Sequence, residues 1–272
     1  MHVWSASVHA LAGELEALGS ILDAAERSRA ERFRFERDRR QYVTAHGVAR
    51  AVLAGYAGGD PAALRFDVGP FGKPSLAGAP VAFNLSHSGD RVVVAVARDE
   101  IGVDVEQWRD IEWMRLATSF FSAAECAALR AAGDDDVQAA FYACWSRKEA
   151  YLKALGVGIG NGLDFFDVSV GAELPARVLA DRLDPRNVLR WRLFTLDEGT
   201  GYSAALCAPA TVRRVRTVAA EDSVAVRAAL AGDRSAAEAA SQASLTQVSQ
   251  STRAGTGARV RARRIIPVRS RV

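Results

Sequence analysis

Helical periodicity gives way to β-branched alternation twice along this chain, in the same order each time, and that repetition limits the folds open to it. In the first round, Leu15, Leu18, Ile21 and Leu22 recur at helical spacing, with Glu14, Glu16 and Asp23 as polar partners. Tyr42, Val43, His46, Val48, Val52 and Leu53 repeat the pattern, so residues 13–56 read as largely helical. The charged stretch Glu26–Arg40 lies between them, anchored by Phe33 and Phe35. Gly58-Gly59-Asp60-Pro61 stops the second helix. Strands follow at Val81–Leu85, Arg91–Ala97 and Ile101–Glu106, separated by the polar turns Ser86–Asp90 and Arg98–Glu100. In the second round, helices are predicted at 111–131 and 138–155, the latter closed by the glycine-rich run Gly156–Gly160. Strands return at Phe165–Val170, Val188–Thr195 and Tyr202–Cys207.

The pattern predicts an α/β fold of two similar halves, residues 1–108 and 109–219. A chain of 272 residues is long enough to give both a core. The character changes near Ala219: Ala, Ser, Gln and Arg dominate, and aromatics cease after Tyr202. Residues 220–272 are therefore expected to form a low-complexity, arginine-rich tail, with a surface helix within 221–240 and disorder across 241–272. The tail also accounts for the basic balance. Seven arginines and no acids lie between Ser251 and Val272, and without them the net charge of +3 becomes −4. A polyanion-binding body is not implied, and the tail reads as a solvated extension with non-specific affinity for polyanions.

Three widely spaced cysteines (Cys126, Cys144 and Cys207) form no zinc motif and suggest a reducing, cytoplasmic setting. Met1-His2-Val3-Trp4-Ser5 does not read as a secretory signal, and no apolar run approaches the roughly 20 residues of a membrane span.

Lysine and arginine together number 35, yet only Lys73, Lys148 and Lys153 are lysines. All three sit in short motifs beside turns or acids, where a compact ammonium would serve better than a planar guanidinium fork. Asp104 and Glu106 are two apart on a predicted strand and share a face. Glu149 and Lys153 are four apart on a predicted helix and share another. Three carboxylates converging on one point repel each other unless a cation joins them, and hard oxygen ligands favour Mg²⁺. Either short motif alone is more often a solvated face or a weak surface pair. Here Asp104 and Glu106 alternate with Val103 and Val105, and Glu149 lies among Phe141, Tyr142, Trp145, Tyr151 and Leu152. His87, in Asn84-Leu85-Ser86-His87-Ser88, reads either as a turn-capping histidine or as a phosphate contact. His46 falls on an apolar helix face and reads as packing.

The motifs Ile101-Gly102-Val103-Asp104-Val105-Glu106 and Trp145-Ser146-Arg147-Lys148-Glu149-Ala150-Tyr151-Leu152-Lys153 resemble the signature of 4′-phosphopantetheinyl transferases. Gly72-Lys73-Pro74 and Phe83-Asn84-Leu85-Ser86-His87-Ser88 resemble the further motifs of the larger, Sfp-type members. The resemblance covers about residues 1–210 and implies two pseudo-symmetric α/β halves with the active site between them. It implies transfer of phosphopantetheine from coenzyme A to a serine of an apo acyl or peptidyl carrier protein, releasing adenosine 3′,5′-bisphosphate. By the same resemblance, Asp104, Glu106 and Glu149 would ligate Mg²⁺, and Lys153 would contact the pyrophosphate. Gly72, Lys73 and Pro74 would hold the adenine end, and Ser86 and His87 a coenzyme A phosphate. Glu149 would help deprotonate the acceptor serine, with Glu125 as a second candidate base. Arg50, and less directly Arg27 and Arg29, would meet the 3′-phosphate. A monomer is expected, since two like halves in one chain supply the interface a shorter relative builds by oligomerising. The alternatives are a coenzyme A-binding relative that has lost transfer, and a Mg²⁺-dependent phosphohydrolase or nucleotidyl enzyme without a protein acceptor.

Overall fold

The computed structural model describes residues 1–133, 136–158 and 162–232. The expected disorder of 241–272 lies outside the described residues.

The first half runs β1 (His2–Ser7), α1 (Leu15–Ser20), α2 (Ala24–Glu31), α3 (Glu36–Ala57), β2 (Phe66–Val68), β3 (Pro74–Leu76), β4 (Ala82–Ser88) and β5 (Arg91–Ala97). The second runs β6 (Gly102–Gln107), α4 (Trp113–Phe120), α5 (Ala123–Ala131), α6 (Val137–Leu155), β7 (Phe166–Val168), β8 (Val178–Asp181), α7 (Asn187–Arg190), β9 (Trp191–Leu196) and β10 (Tyr202–Pro209). The two rounds match in sheet topology as well as in order. One sheet contains the antiparallel run β1-β5-β4, and the other is the antiparallel run β6-β10-β9. Each half has a long helix, α3 or α6, followed by a two-stranded hairpin, β2–β3 or β7–β8. This is the α/β arrangement of two like halves that the segment order predicts.

Alternation along β5 shows how the halves join. Val92, Val94 and Val96 pack with α3, whereas Val93 and Ala95 pack with Val103, Val105 and Leu206 of the second sheet. Both faces of β5 are therefore covered, which is why it reads as an unbroken apolar run. On the far side, α6 lies on the second sheet, with Leu152 and Ala154 packed beside Ala205 and Cys207. Local signals fix the helix ends. Asp23 and Glu26 form a capping box at α2, Ser122 and Glu125 form one at α5, and Gly156 closes α6 in the left-handed region at φ 69°.

Several expectations change. The strand β1 was not foreseen. It is short, and its ladder is made to β5, some ninety residues away. The segment Ile101–Glu106 was assigned to the first half, but β6 makes its ladder with β10, so hydrogen bonding divides the chain before it rather than after it. The proposed turn Ser86–Asp90 shrinks, because β4 continues to Ser88. The Val188–Thr195 strand splits into a helical turn, α7, and β9. The helix expected within 221–240 is present but packs into the core instead of lying on the surface, and the strand before it joins the first sheet. β11 (Arg216–Ala219) pairs in parallel with β1, and α8 (Val224–Leu230) buries Val226 and Ala229 in the first core. All three cysteines are buried and free. Among the described residues no helix is long and apolar enough to cross a membrane.

Candidate active site

The two sheets meet along β4 and β6 through side chains instead of a backbone ladder. Asn84, Ser86 and Ser88 alternate on β4 and point to β6. Val103 N–H donates to Asn84 Oδ1 (2.7 Å), Val105 N–H to Ser86 Oγ (3.3 Å) and Gln107 N–H to Ser88 Oγ (3.1 Å). The same serines also donate to the intervening acids: Ser86 to Asp104 Oδ1 at 2.9 Å, and Ser88 to Glu106 Oε2 at 3.0 Å. A period-two strand thus holds a second strand and orients its carboxylates together.

Gly102 sets β6 against α6. A Cβ at this position would lie 2.1 Å from the Ala150 carbonyl oxygen and 2.3 Å from the Ala154 nitrogen, both backbone atoms of α6. Only glycine permits that approach. The result is that Lys153 Nζ donates to Asp104 Oδ1 at 2.6 Å and to Ser86 Oγ at 3.2 Å. Glu149, one turn earlier on α6, is 8% exposed, and Asp104 is 3% exposed.

Charge crowds this cleft. Glu106 and Glu149 are each pushed up to about 7, first by burial and then by the nearby Asp104 charge. Asp104 Oδ2 and Glu149 Oε1 are buried without a hydrogen-bond partner. Among the described residues no group of three acidic, histidine or cysteine side chains is arranged to hold a metal ion. Asp104, Glu106 and Glu149 act on one another through their charges, and buried carboxylate oxygens left without a partner, as on Asp104 and Glu149, are the hard donor type that Mg²⁺ takes.

The β2–β3 turn contributes the other wall. Gly72, at φ 83°, lets the chain turn back, and Gly72 N–H donates to Gly69 O at 2.9 Å. Gly72, Lys73 and Pro74 then line a cavity of about 260 Å³ together with Asn84, Glu149 and Lys153. His87 lies within β4, not in a turn. Burial, then His46 and Lys153, lower it to about 4, so it is neutral at pH 7, and its Nδ1 has no partner. A second cavity of about 230 Å³, with Arg109, Tyr142 and Trp145 in its wall, opens beside Glu106.

Arg50, Glu125 and Lys148 belong to the buried scaffold instead, and the exposed Arg27 and Arg29 make local contacts. Arg50 is fully buried. Its guanidinium donates to Glu26 and Asp23, both at 2.6 Å, and to the carbonyls of Pro61 and Leu64, leaving it no access to a phosphate. Arg27 donates to the Leu22 carbonyl, and Arg29 stacks over Tyr42. Glu125 is buried in an ion pair with Lys148, so it is not placed to act as a base, and Lys148 does not face the cleft. In the sequence alone, Gly102, Asn84 and Ser88 are motif letters with no assigned role. The polar period-two run on β4 was the signal that could have revealed the seam between β4 and β6.

Known proteins carry the same pattern. A family model described as the 4′-phosphopantetheinyl transferase superfamily matches residues 100–207. A second, described as 4′-phosphopantetheinyl transferase, N-terminal, matches residues 3–99, so the two meet where the hydrogen bonding divides the sheets. The 4′-phosphopantetheinyl transferase HetI of Nostoc sp. is 36% identical over 186 residues, which are 65% of this chain and 77% of that protein. The 4′-phosphopantetheinyl transferase Sfp of Bacillus subtilis is 30% identical over 196 residues, 72% of this chain and 85% of that protein. The 4′-phosphopantetheinyl transferase AcpT of Salmonella typhimurium is 40% identical over 111 residues, 40% of this chain and 55% of that protein. With two like halves, and with the acids of β6 set against the glutamate and lysine of α6, the chain belongs to the 4′-phosphopantetheinyl transferase superfamily as an enzyme of the larger, Sfp-like form.

Proposed function

We propose that this transferase takes phosphopantetheine from coenzyme A, passes it to a serine hydroxyl of an apo carrier protein and releases adenosine 3′,5′-bisphosphate in a Mg²⁺-dependent reaction. The observation that carries this reading is the pair of buried, unpartnered oxygens, Asp104 Oδ2 and Glu149 Oε1, beside Lys153. Asp104, Glu106 and Glu149 would hold Mg²⁺, which when bound would neutralise pyrophosphate charge.

The chain's own groups account for the remaining work. Lys153 is positioned to take a pyrophosphate oxygen once the donor replaces its contact with Asp104. Gly72, Lys73 and Pro74 would form the wall for the nucleotide end; Ser86, on the β6 side of β4, and His87, on its other side, would each meet a phosphate of the donor. The serine oxygen attacks the β-phosphorus. The bond from that phosphorus to the oxygen bridging the α-phosphate breaks, and the bridging oxygen leaves with the bisphosphate. Glu149 would accept the serine proton, directly or through a water it orders. Residues of both halves of one chain build the cleft, which supports action as a monomer.

The direct test is the intact mass of an apo carrier domain after incubation with enzyme and coenzyme A, with and without Mg²⁺. A Mg²⁺-dependent gain of one phosphopantetheine is expected. No gain on fatty-acid, polyketide or peptide carriers, with coenzyme A bound or hydrolysed, would defeat the proposal. In the same assay Asp104→Ala should abolish transfer while circular dichroism shows an intact fold; normal turnover would remove Asp104 from the site. Lys153→Ala should lower kcat by about 10²-fold, as expected for loss of one transition-state charge contact, whereas unchanged kinetics would make it a surface lysine.

The response to Mg²⁺ should also depend on pH. Glu106 and Glu149 have folded-state values raised from 4.5 to about 7. Without a cation, their ionisation therefore weakens the fold as pH rises from about 4.5 to about 7. Below about 7 the folded carboxyls hold protons that a cation must displace. Added Mg²⁺ is expected to raise the melting temperature more at pH 8 than at pH 6. An equal shift at both would dissociate these carboxyls from the cation.

A further inference from the structure

Lys73, the residue of the β2–β3 turn that reaches the cleft, is already occupied. Its ammonium is ion-paired with the carboxylate of Glu100 and donates to the Ile101 carbonyl at 3.0 Å. The two partners differ in their surroundings: the Lys73 side chain is 18% exposed, whereas that of Glu100 is 64% exposed. Lys73 also stands between two spaces. On one side is the cavity of about 260 Å³ shared with Glu149 and Lys153, and on the other is a cavity of about 590 Å³ that Arg98 and Glu100 line.

We infer that Glu100 is an internal anion competing with the donor's nucleotide end for Lys73, and so sets the affinity for the donor without taking part in the chemistry. The inference rests on the reading of coenzyme A as donor. A nucleotide end entering the cleft must replace the Glu100 carboxylate on Lys73, and a carboxylate left in place repels the charge of the donor's phosphates. Glu100 is the more exposed partner, free to swing into solvent. It hangs in the turn between β5 and β6 and is largely in solvent, while the Ile101 carbonyl and the turn fix Lys73. Arg98, on the wall of the same larger cavity, offers Glu100 a new partner when it is displaced. The contact is not built to stabilise the fold, because an ion pair with one partner mostly in water contributes little.

The competition has a definite signature. Glu100→Gln keeps the shape and removes the charge. Coenzyme A should then bind more tightly, with Kd by calorimetry and KM in the transfer assay falling about two- to five-fold, the scale of an exposed ion pair. The kcat should stay within about twofold, since the contact is gone before the transition state. In a Lys73→Met background, Glu100→Gln should no longer change Kd, as expected when one interaction accounts for the effect. An unchanged or raised Kd in Glu100→Gln would overturn the inference and make Glu100 a residue that merely holds Lys73 in place. The same gain in the Lys73→Met background would overturn it too, because the effect would then be a general one of charge. Failure of the unaltered enzyme to bind coenzyme A would defeat the donor reading itself; binding without a gain in Glu100→Gln defeats only this inference.

Discussion

Replacing Lys148 by alanine is expected to cost about 3–5 kcal/mol of folding stability, the scale for leaving one partner of a buried ion pair uncompensated. Lys148 is fully buried. Its ammonium donates to both oxygens of Glu125 at 2.8 and 2.6 Å and to the Phe166 carbonyl at 2.8 Å, and it lies 4.2 Å from the centre of the Phe166 ring. Glu125 in turn accepts from the backbone N–H of Ser122 at 2.9 Å and of Val168 at 2.8 Å. The pair thus ties α5, α6 and β7 together through one saturated network. Truncating the lysine leaves a carboxylate in a dry core with only amides to stabilise it. A domain typically has about 5–15 kcal/mol in hand, so the loss is severe. Urea denaturation would measure it. The double replacement Lys148→Met with Glu125→Gln should be milder, because no bare charge remains. A Lys148→Ala enzyme with normal stability and abolished transfer would instead return this lysine to the chemistry.

The second large effect is expected at Gly102. Alanine there would drive a methyl into backbone atoms of α6 at 2.1 and 2.3 Å, and backbone, unlike a flexible side chain, cannot step aside. Overpacking of this kind costs about 1–3 kcal/mol and occasionally more, and the directness of this clash places it at the upper end. The functional loss should exceed the loss of stability. Lifting β6 off α6 separates Asp104 from Lys153, whose contact is 2.6 Å, and withdraws the acids from Glu149. Transfer should fall below detection even at low temperature where Gly102→Ala is folded, and the melting shift caused by Mg²⁺ should vanish with it. Full activity in the folded variant would show that the close approach of strand and helix is not needed.

The parts of the site legible in the sequence were those whose neighbours are close in the chain. Two carboxylates alternating with valines fix the face of β6, and a glutamate and lysine four apart fix a face of α6. Gly72 announces the turn that carries Lys73. Direction was harder where a helix is buried nearly all round. Lys148 and Glu149 are adjacent on α6 and so point about 100° apart, yet apolar neighbours flank both. Which of them faced the core depended on Glu125 and Phe166, contributed by other elements. Arg50 misled for the same reason. It looked like a spare cation on a helix, but Asp23 and Glu26 of the preceding segment bind its guanidinium. Rarity of lysine pointed to residues that matter without saying how: Lys153 and Lys73 reach the cleft, and Lys148 holds the core.

The return of β11 to β1 has a consequence for biosynthesis. Residues 2–5 pair with residues 216–219, and Val226 and Ala229 fill the core beneath α3. A ribosome therefore releases the opening strand long before its outer neighbour exists. Until then β1 presents an unpaired edge on a nascent chain, the kind of edge that recruits strands from other molecules. The second half can assemble around α6 while the first still waits for its last strand, so the half made first is the one completed last.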